Sequence, residues 1–341
     1  MPLTDVGQLI GDYAVIADDP DVLTMRNVIY TPFGEAGPHW GLFDHGRKLI
    51  TQAAFWQGGA PRTPSQVPIT RLSWREVTEE APDPSYIYGG IMHEHYGHFL
   101  LSTYSRYWNH ALLADTSRKI LYHSDHNMEF WFARPYVAAI LGGLGLSPDR
   151  FVRFHTSLRV REIILPAPGM EEAGFVYTGF ASASNALGRR IAERHIGPAS
   201  DRPAYLSKAK LTSGVGHIVN EQEFTDVLAA AGVQILHPEE MNFGEQISVF
   251  YNHPIVCGQT GSALHTSLFA PGRRIVGLSF INSNFSSYPM IDEANGTRSR
   301  YVFPSEEIVE VADAGQFRNS FRLTDPARTA EEFLAILADS A

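Results

Sequence analysis

The chain has 341 residues, 44% of them hydrophobic and 19% charged, with a formal net charge of −10. That length exceeds one typical domain and suits two, and the composition is that of a globular protein rather than a disordered one. The acidic balance excludes a general nucleic-acid binder, which carries a basic stripe, and the single cysteine, Cys257, excludes an intramolecular disulfide framework.

No apolar run approaches the roughly 20 residues of a membrane helix. Met1-Pro2-Leu3-Thr4-Asp5 lacks the basic start and apolar core of a signal peptide. The expected location is cytoplasmic, with peripheral association with a membrane left open. Along the chain, short apolar runs split by Gly and Pro at residues 13–17, 28–30, 48–55 and 67–72 predict strands and loops, some of them hairpins. Residues 97–113 predict an aromatic-rich helix and 119–123 a buried strand. Residues 132–146 predict a helix ending near Gly142-Gly143 or Gly145, followed by strands at 152–154 and 160–165. A helix over 182–196 carries Arg189, Arg190 and Arg194, and 197–203 is the most linker-like stretch. Beyond it the alternation is regular, with strands at 204–207, 233–236, 255–257 and 274–278 and helices at 221–231, 244–251 and 262–269. Such alternation predicts an α/β protein with a parallel sheet covered on both faces. A closing helix over 324–341 takes Thr324 or Asp325 as N-cap and Pro326 as its first residue. The expected organisation is an N-terminal domain with a linker helix (1–196), a C-terminal domain (197–323), and the 324–341 helix, with packing back on the N-terminal domain as one option.

In open parallel sheets, ligands bind beyond the carboxyl ends of the strands. Three places there carry small or polar residues. One is Ser207-Lys208, and a second is the turn and helix start Gly214-Val215-Gly216-His217-Ile218-Val219-Asn220-Glu221. The third is Val256-Cys257-Gly258-Gln259-Thr260-Gly261-Ser262-Ala263-Leu264-His265, which reads as a strand, a tight turn and a helix that Pro271-Gly272 closes. That geometry aims backbone N–H groups at an anion such as a pyrophosphate. Lys208 and His217 would add positive charge, and Ser262 a hydroxyl. A plainer reading makes Asn220 a helix N-cap, Glu221 a favourable first-turn charge and Lys208 a solvated side chain. Both stay open.

The ordered blocks Tyr205-Leu206-Ser207-Lys208, His217-Ile218-Val219-Asn220-Glu221, Phe243-Gly244-Glu245-Gln246-Ile247, Gly261-Ser262-Ala263-Leu264 and Phe269-Ala270-Pro271 resemble glycosyltransferase family 61, in its bacterial branch. Upstream, Tyr96-Gly97-His98-Phe99-Leu100-Leu101 resembles that family's tyrosine/histidine-phenylalanine segment. The resemblance spans roughly residues 89–278. It implies a GT-B architecture of two Rossmann-like domains facing a central cleft, an inverting, metal-independent mechanism, and a nucleotide-sugar donor, UDP-linked in the first instance, as co-substrate with no further cofactor. The acceptor it implies is a saccharide or glycoconjugate in surface or capsular polysaccharide synthesis. Carried over by position, the donor would meet Lys208, His217, Asn220, Glu221, Gln246, Gly261, Ser262 and Ala263 in the C-terminal domain. Departures exist: Lys208 and His217 stand where many members carry arginine, Thr260 where many carry histidine, and Ser102 where an acidic residue is common.

Inverting transfer needs a base for the acceptor hydroxyl proton and a stabiliser for the leaving group. The densest titratable cluster is His93-Glu94-His95-Tyr96-Gly97-His98, with His123, Asp125 and His126 further on. His98, inside the family-like segment, is the first candidate base, Glu94 the second and Asp125 the third. The alternative for His98 is a buried, hydrogen-bonded histidine. His93-x-His95-x-x-His98 with His123 or His126 also offers imidazoles for zinc or iron in a metal-dependent hydrolase or oxygenase, although Gly97 breaks the His-Glu-x-x-His spacing of zinc proteases. A non-catalytic carbohydrate-binding protein on a degenerate transferase fold is a further alternative. Asp19-Pro20-Asp21 reads as a turn, and no nucleophile elbow or Walker loop occurs. The aromatic set Phe99, Tyr104, Tyr107, Trp108, Phe130, Trp131 and Phe132 suits either acceptor stacking or a core.

Overall fold

The computed structural model describes residues 3–34, 39–56, 77–271, 273–312 and 316–339. The strand expected at 67–72, Gly272 of the closing turn and the last two residues of the 324–341 helix lie outside them. By compactness the chain falls into two units, residues 13–183 and residues 1–12 with 184–341, whereas composition marks 197–203 as the linker.

The 13–183 unit is built on a six-stranded mixed sheet. Its strands are β1 (Val22–Thr31), β2 (Gly41–Phe43), β3 (Ser85–Ile91), β4 (Lys119–His123), β5 (Phe151–Val152) and β6 (Leu158–Pro166). In space they lie β2-β1-β6-β3-β4-β5. β6, β3, β4 and β5 run parallel, and β1 and β2 make an antiparallel edge. From β3 the chain steps to β4 and β5 on one side, then returns to β6 on the other. The order therefore reverses between β3 and β6. β3 has no counterpart in the sequence reading because Gly89-Gly90 reads as punctuation. Packing explains the pair: a Cβ on Gly89 would stand 2.5 Å from the Tyr107 hydroxyl and 2.7 Å from Ile120, and Gly90 takes φ +79° at a bulge.

Three expected elements of this unit come out differently. Residues 48–55 hold a short 3-10 turn, Thr51–Ala53, and no strand. The 97–113 helix is a chain of short turns: Tyr96–His98, a π-helical turn over Phe99–Thr103, a 3-10 turn over Tyr104–Arg106, and then a separate helix, His110–Ala114. Asn109 starts that last piece by accepting a hydrogen bond from the Leu112 N–H at 2.9 Å, which ends helical continuity at 107–109. The 132–146 helix divides into α1 (Met128–Phe132) and α2 (Pro135–Gly143). Pro135 forces Arg134 into extended backbone, φ −85° and ψ 121°, so the helix restarts there. Phe99, Tyr104, Tyr107 and Trp131 are buried, which settles those four as core. The helix expected at 182–196 is α3 (Thr178–Ala192), and the division between the units falls within it.

The second unit contains β7 (Ala204–Leu206), β8 (Ser213–Ile218), β9 (Gln234–Leu236), β10 (Ile255–Gln259), β11 (Arg274–Leu278), β12 (Arg298–Pro304), β13 (Ile308–Val311) and β14 (Gln316–Leu323). Its helices are α4 (Glu221–Ala230), α5 (Phe243–Asn252), α6 (Ser287–Ala294) and α7 (Pro326–Ala338). The main sheet runs β9-β7-β10-β11-β12 in parallel, closed at the β12 edge by the antiparallel strand Leu3–Asp5. Counted along the chain this order is 2-1-3-4-5, a doubly wound pattern whose switch point lies between β7 and β10. The two strands approach closely, because a Cβ on Gly258 would meet the Leu206 carbonyl oxygen at 2.8 Å. Asp325 is the N-cap of α7, accepting from the Arg328 N–H at 3.0 Å, and Pro326 is the first helical residue. α7 packs on α4 through Phe333 against Phe224.

Here too the structure corrects two elements. Residues 213–218 are a strand rather than a turn: β8 pairs in parallel with β14, which pairs with β13. Gly214 and Gly216 read as turn residues, yet they leave room for rings. A Cβ at Gly214 would stand 3.1 Å from Phe317, and one at Gly216 would stand 3.3 Å from Phe280. The helix expected at 262–269 is a six-residue 3-10 turn, Leu264–Phe269. Its N–H bonds return to Gly261, Ser262 and Ala263 three residues back, so it carries little of an α-helix dipole.

Candidate active site

Lys208 stands just past the carboxyl end of β7, at the switch point of the second unit. Its ammonium donates to the Thr260 carbonyl at 3.1 Å and to the Gly216 carbonyl at 3.3 Å, and lies 4.9 Å from the centre of the Phe280 ring. A Cβ on Gly261 would sit 2.7 Å from the same nitrogen. Glycine at 261 therefore lets the lysine reach across from β7 to the end of β10. Burial pulls the Lys208 pKa down to about 8, against the attraction of Glu221. Beyond it, the N–H groups of Gly261, Ser262 and Ala263 have no backbone partner among the described residues.

The carboxylate of Glu221, the first residue of α4, is buried. It accepts from the Tyr205 hydroxyl at 2.9 Å, the Ser207 hydroxyl at 3.1 Å and the Lys208 N–H at 2.9 Å. Burial pushes its pKa up, and those donors oppose the rise. Glu221 thus fixes the turn that presents Lys208. Asn220 occupies the N-cap position without capping. Its amide instead clamps the backbone of Leu323 in β14, donating to the carbonyl and accepting from the N–H, both at 3.0 Å. Gln246 on α5 donates to the carbonyls of Pro238 and Met241 at 2.8 and 3.1 Å. His217 on β8 has its ring 3.7 Å from that of Phe317. Lys208, Glu221 and Gly261 are brought together; the Asn220 and Gln246 amides are committed elsewhere.

In the 13–183 unit, His98 lies beyond the carboxyl end of β3, and Glu172 lies beyond that of β6, the strand across the reversal in chain order. Their side chains meet, His98 Nδ1 to Glu172 Oε2 at 2.7 Å, with 30% and 16% of each side chain exposed. The bond to Glu172 raises the His98 pKa, and burial opposes it. His93 and His95 flank the ring at 5.8 and 4.8 Å between centroids. Burial pulls His93 down to about 4 and lowers His95 as well, and in both the His98 charge adds to the fall. Glu172 is the residue the sequence reading missed. Its only signal is a pair of glutamates, Glu171-Glu172, at the end of the two-residue strand Met170–Glu171. Beside the pair, a cavity of about 30 Å³ touches Trp40, Ser102, Arg106 and Glu171; that holds about one water, not a sugar ring.

Glu94 is exposed and held by His126 Nε2 at 3.1 Å and Arg134 Nη2 at 2.8 Å. Asp125 is exposed in the bend after β4. His123 belongs to the core: Tyr88 Oη and the Thr31 carbonyl take its two nitrogens, each at 3.0 Å, it stacks on Tyr30, and burial lowers its pKa to about 3. His123 is therefore unavailable as a metal ligand. Among the described residues no group of three His, Cys, Asp or Glu side chains is placed to hold a metal ion.

The glycosyltransferase 61 family model matches residues 96–276, from the helical turn that carries His98 into β11. The chain belongs to the glycosyltransferase 61 family. No curated protein matches it significantly. The matched stretch includes His98, Glu172, Lys208, Glu221 and Gly261, so both clusters lie in the family region. As a family member the protein is a glycosyltransferase, and its partners are a sugar donor and an acceptor. Among the described residues no helix is long and apolar enough to cross a membrane.

Proposed function

We propose that this glycosyltransferase is an inverting, metal-independent enzyme of GT-B type and of the family's bacterial branch. It moves a sugar from a nucleotide sugar, UDP-linked in the first instance, to a saccharide or glycoconjugate in surface polysaccharide synthesis. The reading places it in the cytoplasm, free or peripherally bound to a membrane, and requires no cofactor. Residues 197–323 bind the donor, and residues 1–196 supply the acceptor side. The observation that carries the reading is the Lys208 ammonium at the β7–β10 switch point, reached across Gly261.

Lys208 and the N–H groups of Gly261, Ser262 and Ala263 hold the donor diphosphate, with His217 at the rim. Asn220, Glu221 and Gln246 act one step back, shaping the site through their protein bonds. The acceptor hydroxyl oxygen bonds to the anomeric carbon from the face opposite the diphosphate, and the carbon–oxygen bond to phosphate breaks with inversion. The hydroxyl proton passes to His98 Nε2, with Glu94 and Asp125 as the lesser candidates for base. The nucleoside diphosphate leaves with the bonding pair, its charge met by Lys208 and the N–H groups. A thermal-shift titration with UDP, GDP, CDP and ADP and their sugars tests this. One nucleotide should raise Tm, and its sugar conjugate should be turned over. No stabilisation by any of them overturns the reading.

A further inference from the structure

The imidazole of His98 is tied on one side only. Nδ1 meets Glu172 Oε2 at 2.7 Å, while Nε2 has no hydrogen-bond partner among the described residues. Glu172 is the more buried of the two, and it follows the short strand Met170–Glu171, in the stretch after β6. A carboxylate placed so does three things to an imidazole. It fixes the tautomer with hydrogen on Nδ1, it holds the ring plane, and it stabilises the imidazolium formed when Nε2 takes a proton. His93 and His95 face the same ring from their own loop, and Glu172 is the charged group that acts on it. His123, fully buried in the same unit, has both nitrogens engaged by protein groups.

We propose that Glu172 is the positioning residue of the transfer reaction: it orients His98 so that Nε2, as base, receives the acceptor hydroxyl proton. This rests on the glycosyltransferase reading with His98 as base. In the step, the oxygen–hydrogen bond of the acceptor breaks as the oxygen–carbon bond forms. The proton ends on Nε2, Nδ1–H stays hydrogen-bonded to Glu172, and Glu172 itself exchanges no proton.

The test compares wild type with Glu172→Gln and Glu172→Asp in the full chain. It uses three readouts: NMR titration of the His98 imidazole, the pH dependence of kcat, and nucleotide affinity by thermal shift. Glu172→Gln should lower the His98 titration midpoint, move the acid limb of kcat to lower pH by the same amount, and cut kcat about 10- to 100-fold. Nucleotide affinity should stay within twofold, and Glu172→Asp should recover part of the rate. An unchanged His98 midpoint in folded Glu172→Gln overturns the proposal, and so does a shifted midpoint with unchanged kcat. A wild-type protein that binds no nucleotide while its His98 midpoint still responds to Glu172→Gln overturns the transferase reading and with it the role of Glu172 in transfer. If Glu172→Gln fails to fold, Glu172→Asp carries the test, and a wild-type midpoint and wild-type kcat in that variant overturn it.

Discussion

The two units apply one topological rule with opposite electrostatics. Each places its polar cluster beyond parallel strands where the chain order reverses, β7 and β10 in one unit and β3 and β6 in the other. At the first, a cation is partly removed from water among carbonyl oxygens and an aromatic ring, and burial depresses its pKa to about 8. That ammonium is still charged at neutral pH, yet incompletely satisfied, a state suited to receiving an anion. At the second, a carboxylate raises the pKa of an imidazole whose far nitrogen stays open. That pair is suited to taking a proton. On the proposed function, binding and proton transfer make opposite demands on a titratable group, and the two strand ends divide them.

The sharpest way to break this contrast is to remove one group from each side. His98→Ala should lower kcat by about 10²- to 10⁴-fold, the usual scale of general-base catalysis, while nucleotide affinity stays within threefold. A parallel loss of nucleotide affinity would make His98 a structural residue and erase the division of labour. Lys208→Ala should do the reverse, weakening nucleotide binding by about 1–3 kcal/mol, as for a lost charged hydrogen bond. Unchanged affinity by calorimetry would take Lys208 out of the site.

A pH series sharpens the same contrast without mutation. Diphosphate prefers the protonated lysine. With the free Lys208 pKa at about 8, affinity should be flat below pH 7 and fall about tenfold between pH 7 and 9. The kcat profile should run the other way. His98 must be neutral to accept a proton, and Glu172 raises its pKa, so kcat rises with pH through a midpoint above the ordinary histidine value of about 6.5. Affinity constant up to pH 10 would contradict the Lys208 assignment.

In the second unit β7, β9, β10 and β11 were legible as short apolar runs set between amphipathic helices, whereas α6, β12, β13 and β14 were not. Val256 and Cys257 and the helix over residues 243–252 carry their periodicity locally. β8 and β3 were not legible, since Gly214, Gly216, Gly89 and Gly90 look like breakers until the rings and side chains that occupy their missing Cβ positions are known. The family-like blocks were legible as a linear order, and Lys208 and Gly261 do meet. What each side chain touches was not. Asn220 follows a strand and opens a helix, so local rules make it a cap, yet its partner lies 103 residues away in β14. Glu172 stands 74 residues from His98, and no spacing rule relates two strand ends whose adjacency is set by the whole sheet.

The smallest effect expected is also the one that separates touching the donor from supporting its site. Asn220 is buried, and both ends of its amide are bonded to the backbone of one residue of β14, Leu323. Asn220→Ala leaves the Leu323 N–H and carbonyl without those partners in a place poor in water. The loss should be about 1–3 kcal/mol of stability, read as a lowered denaturant midpoint at unchanged m. If Asn220 acts only through this clamp, nucleotide affinity measured well below the unfolding transition stays within twofold, because Lys208 is held by Glu221 rather than by Asn220. A tenfold loss of affinity with little loss of stability would instead put the Asn220 amide on the donor and move the edge of the site from Lys208 toward β14.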